Sequence, residues 1–335
     1  MTEVQTQTKT RDSMQSLPEY PDLQKLTTGL SVVLHGNGYA GQITVAERKP
    51  NIFSSTFLSE IVTCRIGDRG ERQFLCKYGT DQNDITLRHR GGTPYEARIY
   101  REILRPSQFS TAMFYGAYSD SATGQTWLIL DYLEKSKRVS RFAEPTAMIQ
   151  AAGWIGRFHA TNRARLASEP MVFLKKYDAA FYTQWIRRTL MFARDLSPSF
   201  PWLAKLCQRS EKFFTPLIAT PPVIIHGEYY PHNILFRDGV VYPVDWESAA
   251  VAAGEIDLAA LTDRWPADVA RACELEYQRA RWPEGPPAEF EERLAAAQLY
   301  LPFRWLGDPP EWNEFEERLA LFKLLHSAGT RLGLI

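Results

Sequence analysis

Two carboxylates and one amide within residues 223–247 have the types and spacing that phosphoryl transfer requires. An apolar run ends at His226, Glu228 follows two residues later, and Asn233 comes five residues after that. A second apolar run then delivers Asp245. Glu228 could accept a proton from an attacking hydroxyl, while the oxygens of Asn233 and Asp245 are of the kind that hold Mg²⁺ on nucleotide phosphates. The segment therefore indicates a metal-assisted transfer, carried on a strand–loop–strand hairpin.

Other polar residues of this segment admit more than one role. His226 and His232 near two carboxylates suggest zinc, but no cysteine or paired His-x-x-x-His spacing supports a zinc site. His226 and Glu228 are the two candidate catalytic residues of this loop. We expect His226 to hold the loop in shape through hydrogen bonds to the backbone. Glu247 could assist the metal or pair with a nearby cation, and the sequence leaves both alternatives open.

This segment resembles the catalytic signature of the aminoglycoside phosphotransferase and choline kinase superfamily, since it reads His226-Gly227-Glu228, then Asn233, then Asp245-Trp246-Glu247. The family pattern is His-Gly-Asp, four residues, Asn, and a short hairpin to Asp-Trp/Phe-Glu, so Glu228 replaces an aspartate. The resemblance implies an α+β, protein-kinase-like two-lobed fold, with an N-terminal antiparallel β-sheet lobe and a larger, mainly helical C-terminal lobe. It also implies ATP and Mg²⁺ as cofactors and a small-molecule hydroxyl as acceptor.

A lysine on a predicted strand and a glutamate on a predicted helix would complete the nucleotide site. Arg72–Tyr78 reads as a strand in which apolar residues precede Lys77, so its ammonium must reach solvent or meet an anion. In the resembling family the matching lysine contacts the α- and β-phosphates of ATP. Glu96 shares the apolar face of a helix with Ile99. Its spacing to Tyr100 matches the family's Glu-x-x-x-Tyr, which implies an ion pair with Lys77.

The start of that helix leaves an alternative for Glu96. Thr93 is predicted as the N-cap, with Pro94 in the first turn. Glu96 lies three residues after Thr93 and could close a capping box instead of pairing with Lys77.

Two further segments are candidates for the remaining nucleotide contacts. Residues 51–56 join the first two strands, where kinase-like folds close a loop over the phosphates, and Ser54 and Ser55 offer hydroxyls there. A short apolar strand runs into Asp131 and Leu133, which occupy the position of the family's inter-lobe hinge. In that family a backbone carbonyl and an amide of the hinge pair with the adenine edge, so this assignment depends on position alone.

The pattern divides the chain into a polar N-terminal tail, residues 1–29, an N-lobe of strands and one helix, residues 30–130, and a helical C-lobe, residues 131–335. We expect the C-lobe to carry the catalytic loop and the acceptor site. Apolar periodicity there predicts helices at Thr146–Ala160, Tyr182–Ala193, Pro266–Arg281, Ala288–Leu301 and Asn313–His326. His159 is expected to be a hydrogen-bonded core histidine, and Asp257 matches the family's aspartate that braces the catalytic loop.

Composition restricts the remaining classes of function. The chain has 335 residues with 39 basic and 39 acidic side chains, and this balance argues against a nucleic-acid partner. No run approaches the roughly 20 apolar residues of a membrane span, and the polar start lacks the apolar region of a signal peptide. Four cysteines without CxxC spacing are typical of reduced thiols, so we expect a cytoplasmic protein without a membrane partner.

Two functions from different classes fit these motifs. The first is a small-molecule kinase, in which Tyr229, Tyr230 and Trp246 hint at an acceptor with an apolar or ring surface. The second is a nucleotide-binding pseudokinase in which Glu228 marks lost chemistry. Glutamate reaches roughly 1.5 Å further than aspartate and has a pKa of about 4.3 against about 3.9, so it is no weaker as a base. The motifs do not identify the acceptor, the choice between ATP and GTP, or the oligomeric state.

Overall fold

The computed structural model describes residues 20–53, 57–81, 89–169, 171–310 and 314–335. Ser54 and Ser55, two candidates for phosphate contacts, lie outside the described residues, and so does Asn313, at which we predict a helix to begin. Within the described ranges no helix is long and apolar enough to cross a membrane.

The N-lobe is a five-stranded antiparallel sheet with a helix packed on each face. Its strands are β1 (Ile43–Pro50), β2 (Leu58–Ile66), β3 (Glu71–Gly79), β4 (Phe114–Asp120) and β5 (Gln125–Asp131), in the spatial order β1-β2-β3-β5-β4. Helix α1 (Leu23–Gly36) precedes the sheet. Helix α2 (Gly92–Ile99) follows β3 and is extended by a π-helical turn at Tyr100–Leu104.

Helix α1 corrects the predicted polar tail of residues 1–29, because ordered structure of the N-lobe begins before residue 30. Asp22 caps the helix by accepting a hydrogen bond from the Lys25 amide at 2.8 Å. Leu26, Leu30 and Leu34 recur at helical spacing and are fully buried against the sheet. The polar composition at the start of the chain hid this helix, although its apolar periodicity is readable.

Helix α2 begins earlier than the sequence predicts. Its N-cap is Gly91, so Thr93 lies inside the first turn and is not the cap. Among the described residues the Thr93 hydroxyl has no hydrogen-bond partner, and Glu96 therefore closes no capping box.

The C-lobe is mainly helical and contains two small sheets. Its helices are α3 (Thr146–Ser168), α4 (Ala179–Phe192), α5 (Leu203–Phe213), α6 (Thr215–Ala219), α7 (Glu255–Thr262), α8 (Ala267–Arg281), α9 (Phe290–Leu306) and α10 (Phe315–Arg331). Its strands are β6 (Lys137–Arg138), β7 (Lys175–Lys176), β8 (Val223–Ile225), β9 (Ile234–Arg237), β10 (Val240–Pro243) and β11 (Ala250–Ala252). One sheet has the order β10-β9-β6 and the other β7-β11-β8. Each helix predicted from C-lobe periodicity is present, and α3, α9 and α10 extend further than predicted.

Side-chain alternation along β5 divides the hydrophobic core in two. Trp127 and Ile129 point into a cluster with α1, whereas Leu128 and Leu130 join the larger cluster that includes α2 and the C-lobe. The second face of the sheet is thus continuous with the C-lobe core through α2. This packing holds Glu96 in a fixed position relative to the C-lobe, and the whole has the predicted two-lobed α+β architecture.

Candidate active site

The hairpin of β9 and β10 brings Asn233 and Asp245 to one end. Strand β9 begins directly after Asn233, and the Val244 amide donates to the Asn233 carbonyl at 2.9 Å. The side-chain Nδ2 of Asn233 donates to the Glu228 carbonyl at 3.0 Å, which leaves its Oδ1 for another partner. The amide and the second carboxylate of the sequence motif therefore flank the open end of the same hairpin.

Asp245 has a left-handed backbone conformation, with φ of 68° and ψ of 61°. A non-glycine residue in this region carries strain that the surrounding structure must hold in place. The Trp246 amide donates to Glu96 Oε1 at 3.0 Å, and Lys77 Nζ donates to Asp245 Oδ1 at 2.6 Å. The strained turn thus presents the Asp245 carboxylate to the N-lobe.

Lys77 on β3 joins the two lobes. Its Nζ lies 2.7 Å from Glu96 Oε2 on α2 and 2.6 Å from Asp245 Oδ1 on the hairpin. The ion pair with Glu96 that the sequence predicts is therefore present. Burial opposes the charge of Lys77, but Asp245 and Glu96 outweigh burial and hold the pKa of Lys77 well above its ordinary value. Lys77 is charged at neutral pH.

Glu228 is buried, and its carboxylate is fixed by three side chains. Oε1 accepts from Arg90 Nη2 and from Arg304 Nη2, each at 3.2 Å, and Oε2 accepts from the Ser248 hydroxyl at 3.0 Å. Burial opposes ionisation, but Arg90, then the neighbouring His89, and then Arg304 hold the pKa of Glu228 well below its ordinary value. The carboxylate is ionised and firmly oriented, and its basicity is low.

Arg304 reaches Glu228 from α9. Its Nη1 pairs with Asp308 Oδ2 at 2.6 Å, about one helical turn further on, and its Nη2 donates to His89 Nε2. Burial lowers the pKa of His89 to about 3, so the ring is neutral and its 3.5 Å approach to Glu228 Oε1 is not an ion pair. His89 packs edge-on against Trp185, with 5.5 Å between ring centres. Distant segments of the chain therefore converge on one carboxylate.

Glu247 lies beside Arg90. Its side chain is fully buried, Oε1 is 3.7 Å from Arg90 Nε, and neither oxygen accepts a hydrogen bond from a described residue. Burial raises the pKa of Glu247 to about 8. The backbone reinforces the contact, since the Gly91 amide donates to the Glu247 carbonyl at 2.8 Å. Of the two roles that the sequence leaves open, this position shows the contact with a cation, Arg90, although a carboxyl with a pKa of about 8 is largely protonated at neutral pH.

The loop that carries Glu228 is held from behind by Asp257 on α7. The amides of His226 and Gly227 donate to Asp257 Oδ2 and Oδ1 at 2.7 and 2.9 Å. His159 Nε2 lies 3.1 Å from the same Oδ2, and its ring is fully buried. The predicted brace is present, and His159 is the expected core histidine.

His226 uses both ring nitrogens on the backbone of the loop. Nε2 donates to the Val244 carbonyl at 3.0 Å, and Nδ1 accepts from the Glu228 amide at 3.3 Å. Burial lowers the pKa of His226, so the ring is neutral. Gly227, between His226 and Glu228, has a φ of 84°, and a Cβ there would lie 2.2 Å from the Ser248 carbonyl oxygen. The turn therefore requires glycine, and His226 holds it in shape.

The aromatic residues of this loop divide between core and cleft. Tyr229 and Trp246 are fully buried in the C-lobe core, so they cannot contact an acceptor, contrary to the hint drawn from the sequence. Tyr230 borders an open cleft of ≈ 330 Å³ beside the catalytic loop. Aromatic and acidic side chains also line this cleft, among them His232, Asp263, Trp265, Trp305 and Glu317.

The crossover after β5 keeps one backbone donor available. The Asp131 amide donates to the Met113 carbonyl at 2.8 Å, and the Leu133 carbonyl accepts from the Ser136 amide at 3.2 Å. Within the part of the chain that the structure describes, the Leu133 amide donates to no group. An amide left unpaired at this position can donate to an external acceptor.

Arg90, Arg304 and Ser248 are the site residues that sequence reasoning missed. Arg304 carried a readable signal, because it lies in an apolar stretch just beyond the predicted end of a helix at Leu301 and has Asp308 four residues later. Arg90 and Ser248 carry no such signal, because their partner is brought to them only by tertiary packing.

Comparisons with known proteins group this architecture with phosphotransferases. A sequence model described as the phosphotransferase enzyme family matches residues 88–305. No curated protein matches the chain. Choline kinase LicA from Streptococcus pneumoniae is similar in structure, with a TM-score of 0.58, 13% identity, and coverage of 90% of this chain and 99% of that one.

Two other solved structures give the same result. Macrolide 2'-phosphotransferase MphH from Brachybacterium faecium has a TM-score of 0.55, 15% identity, and coverage of 88% of this chain and 98% of that one. The GDP complex of aminoglycoside 2'-phosphotransferase-IIIa has a TM-score of 0.59, 10% identity, and coverage of 93% and 99%. At these identities the likeness shows the fold, which is the protein-kinase-like one predicted from the sequence.

Proposed function

Since this chain belongs to the phosphotransferase enzyme family, we propose that it moves the γ-phosphate of ATP to a small-molecule hydroxyl with the help of Mg²⁺. The family comprises the small-molecule kinases of the aminoglycoside phosphotransferase and choline kinase superfamily. The observation that carries this proposal is the position of Lys77, whose ammonium bonds Glu96 and Asp245 from different lobes. A lysine held in this way at an inter-lobe cleft can receive phosphate oxygens of a nucleotide.

Asn233 and Asp245 fit a magnesium ion. They offer an amide oxygen and a carboxylate at the open end of one hairpin, and the Asp245 side chain is 31% exposed. Proteins usually bind Mg²⁺ through one or two carboxylates together with substrate phosphates. When held by Asn233 and Asp245, the ion would neutralise part of the charge that develops on the phosphates during transfer.

Glu228 is proposed to orient the acceptor hydroxyl and to take its proton as the new O–P bond forms and the bond from the γ-phosphorus to the bridging oxygen of the departing ADP breaks. In phosphoryl transfer this residue mainly positions the nucleophile, because the loose transition state places little demand on proton abstraction. A carboxylate held by Arg90, Arg304 and Ser248 is suited to positioning. His226 keeps the loop in shape and takes no part in proton transfer.

The remaining predicted contacts complete the proposal. The Asp131 carbonyl and the Leu133 amide would pair with the adenine edge. The GDP complex of one structural neighbour supports a purine nucleotide as the ligand. Ser54 and Ser55 stay candidates for phosphate contacts. The cleft bordered by Tyr230 is the proposed acceptor site, and we expect a cytoplasmic enzyme.

The test is turnover of the purified protein with Mg-ATP, or Mg-GTP, and a panel of hydroxyl metabolites, read by ADP or GDP release and by phosphate-ester NMR. Wild type should phosphorylate an acceptor, and Asp245→Asn should not. Asp238→Asn is the matched control, because Asp238 lies on the same hairpin with its side chain 92% exposed. Equal turnover by wild type and Asp245→Asn would contradict the proposal.

One observation favours a second candidate, a nucleotide-binding pseudokinase. Both oxygens of Glu228 are already bonded, and its pKa is held well below the ordinary value, so it is a poor base. A pseudokinase would bind Mg-ATP through Lys77 and Asp245 yet phosphorylate no acceptor in a broad panel. Nucleotide binding without product in that panel is the outcome that selects this candidate.

A further inference from the structure

Two arginines at the entrance of the inter-lobe cleft are held by an aromatic ring and not by an acid. Arg138 lies on β6, and Arg141 ends the short turn after it. The guanidinium carbon of Arg138 is 4.6 Å from the ring centre of Phe53, and that of Arg141 is 5.5 Å away. Among the described residues neither guanidinium forms a salt bridge or a side-chain hydrogen bond. Both therefore keep their N–H donors for another ligand.

These arginines lie next to the proposed metal ligands. Strand β6 pairs with β9, so Arg138 is opposite Leu235, two residues after Asn233. Arg138 is partly buried and near enough to Asp245 for the two charges to interact. The guanidinium of Arg138 is thus close to the part of the cleft in which nucleotide phosphates would sit, and Arg141 shares the Phe53 ring with it.

A charge balance shows why further cations are needed there. The ammonium of Lys77 is already shared by the carboxylates of Glu96 and Asp245, so these three side chains together are acidic. A nucleoside triphosphate is a polyanion, and one Mg²⁺ compensates only part of its charge. Without additional positive groups, the site would repel the ligand that it is proposed to bind.

We propose that Arg138 and Arg141 bind the phosphate oxygens of the nucleotide, and that Phe53 holds their guanidiniums in position from the opposite lobe. This inference rests on the proposed function and deepens it. Stacking on a ring uses the face of a guanidinium and leaves its N–H edge available for bidentate contact with phosphate. Arg138 contributes more than Arg141, because it is the more buried of the two.

The segment that carries Phe53 is anchored well enough to do this. The Asn51 side-chain Oδ1 accepts from the Phe53 amide at 3.2 Å, and its Nδ2 donates to the Ser59 hydroxyl at 3.0 Å. The Asn51 amide also donates to the Ser59 carbonyl at 2.8 Å. These bonds tie Phe53 to β2 of the N-lobe, while both arginines belong to the C-lobe.

The experiment measures the affinity of wild type, Arg138→Gln and Arg141→Gln for adenosine, Mg-ADP and a non-hydrolysable Mg-ATP analogue by titration calorimetry. Arg138→Gln should weaken binding of the triphosphate roughly ten- to hundred-fold, as loss of a charge-assisted hydrogen bond does. Arg141→Gln should weaken it about three-fold, because its charge is more exposed. Affinity for adenosine should stay within about two-fold of wild type.

Two variants separate a phosphate contact from damage to the fold. Lys137→Gln removes the neighbouring exposed charge on the opposite face of β6, and it should leave all three affinities unchanged. Arg138→Lys keeps the charge and should restore part of the triphosphate affinity. Phe53→Leu should lower triphosphate affinity a few-fold, and Phe53→Tyr should restore it.

The outcomes distinguish this inference from the function on which it rests. If wild type and Arg138→Gln bind Mg-ATP equally well, the arginines do not bind phosphate. The same conclusion follows if Arg138→Gln loses as much affinity for adenosine as for the triphosphate. In both cases the kinase proposal still stands. If wild type takes up no magnesium nucleotide, both fail together. A loss of affinity in Arg138→Gln that is smallest for adenosine, larger for Mg-ADP and largest for the Mg-ATP analogue supports the inference.

Discussion

Two buried ionic clusters lie on opposite sides of the proposed transfer point, and they are built differently. On the nucleotide side a single cation, Lys77, is shared by Glu96 and Asp245. On the acceptor side a single carboxylate oxygen, Oε1 of Glu228, is shared by two arginines. The first arrangement leaves acidic oxygen available for a metal. The second occupies three of the roughly four acceptor positions of its carboxylate, leaves one on Oε2, and fixes the orientation of the group.

The comparison teaches that the two clusters serve different needs. Removing one partner of a buried ion pair leaves the other charge uncompensated, so both clusters stabilise the fold only while they are complete. The nucleotide-side cluster can exchange one bond for a ligand, because the Asp245 side chain is partly exposed. The acceptor-side cluster cannot do so easily, because Glu228 and Arg304 are each only 4% exposed. Substitutions should therefore separate activity from stability.

The largest effect is expected at Lys77. Lys77→Met leaves Glu96 and Asp245 buried against each other, and kcat/KM should fall about a thousand-fold as phosphate positioning is lost. The free energy of unfolding should also fall by about 3 kcal/mol. Steady-state kinetics and urea denaturation measure the two effects. Lys49→Met is the control, since that lysine is 60% exposed, and wild-type kinetics in Lys77→Met would refute the assignment.

A smaller loss is expected at Glu228. Glu228→Gln keeps the shape of the side chain but removes its charge, so kcat should fall about a hundred-fold while Mg-ATP affinity stays unchanged. Glu228→Asp shortens the reach to both arginines and should cost about ten-fold in kcat. Single-turnover kinetics measures the effect on the chemical step, and a separate nucleotide titration measures the effect on Mg-ATP affinity. If nucleotide affinity falls by the same factor as kcat, Glu228 acts on the nucleotide and not on the acceptor, which would contradict this prediction.

Stability should respond most clearly at Arg304. Arg304→Met leaves Glu228 and Asp308 buried without their shared cation, and it should lower the free energy of unfolding by about 3 kcal/mol. Arg90→Met should cost about 1 kcal/mol, because the Arg90 side chain is 22% exposed and its site admits water. If urea denaturation gives Arg304→Met and Arg90→Met the same loss in free energy of unfolding, the acceptor-side cluster is not organised around Arg304.

The last effect in this series is local to the turn at Gly227. Gly227→Ala must adopt a φ of 84° and bring a Cβ within 2.2 Å of the Ser248 carbonyl oxygen. The loop should shift and cost about 2 kcal/mol of stability, with a loss of kcat but not of Mg-ATP affinity. Gly239→Ala, at a φ of 78° with open space around it, is the control for backbone strain alone.

The two clusters also differ in how far they could be predicted. Glu228, Asn233 and Asp245 lie within one short hairpin, so their spacing specified their convergence. Lys77 and Glu96 were found because a strand and a helix with clear periodicity present them. The surroundings of Glu228 could not be predicted, since Arg90 and Arg304 reach it across 138 and 76 residues of chain.

Elsewhere the misses have local causes. The polar surroundings of the first helix predict a tail, because they outweigh the spacing of Leu26 and Leu30. The sequence predicts Thr93 as the cap of α2, although Gly91 is the residue before the helix. Tyr229 and Trp246 were close to the site in sequence, but their side chains point into the core. Proximity along the chain did not determine the direction of a side chain.

The most direct test of the central claim is the magnesium dependence of nucleotide binding, measured by calorimetry with a non-hydrolysable ATP analogue. Four side chains from both lobes, those of Lys77, Glu96, Asn233 and Asp245, should form one site for a magnesium nucleotide. Wild type should bind the analogue at least about ten-fold more tightly with Mg²⁺ than with EDTA, and Asp245→Asn should lose that gain. Equal affinity of the wild type with and without Mg²⁺ would contradict the account.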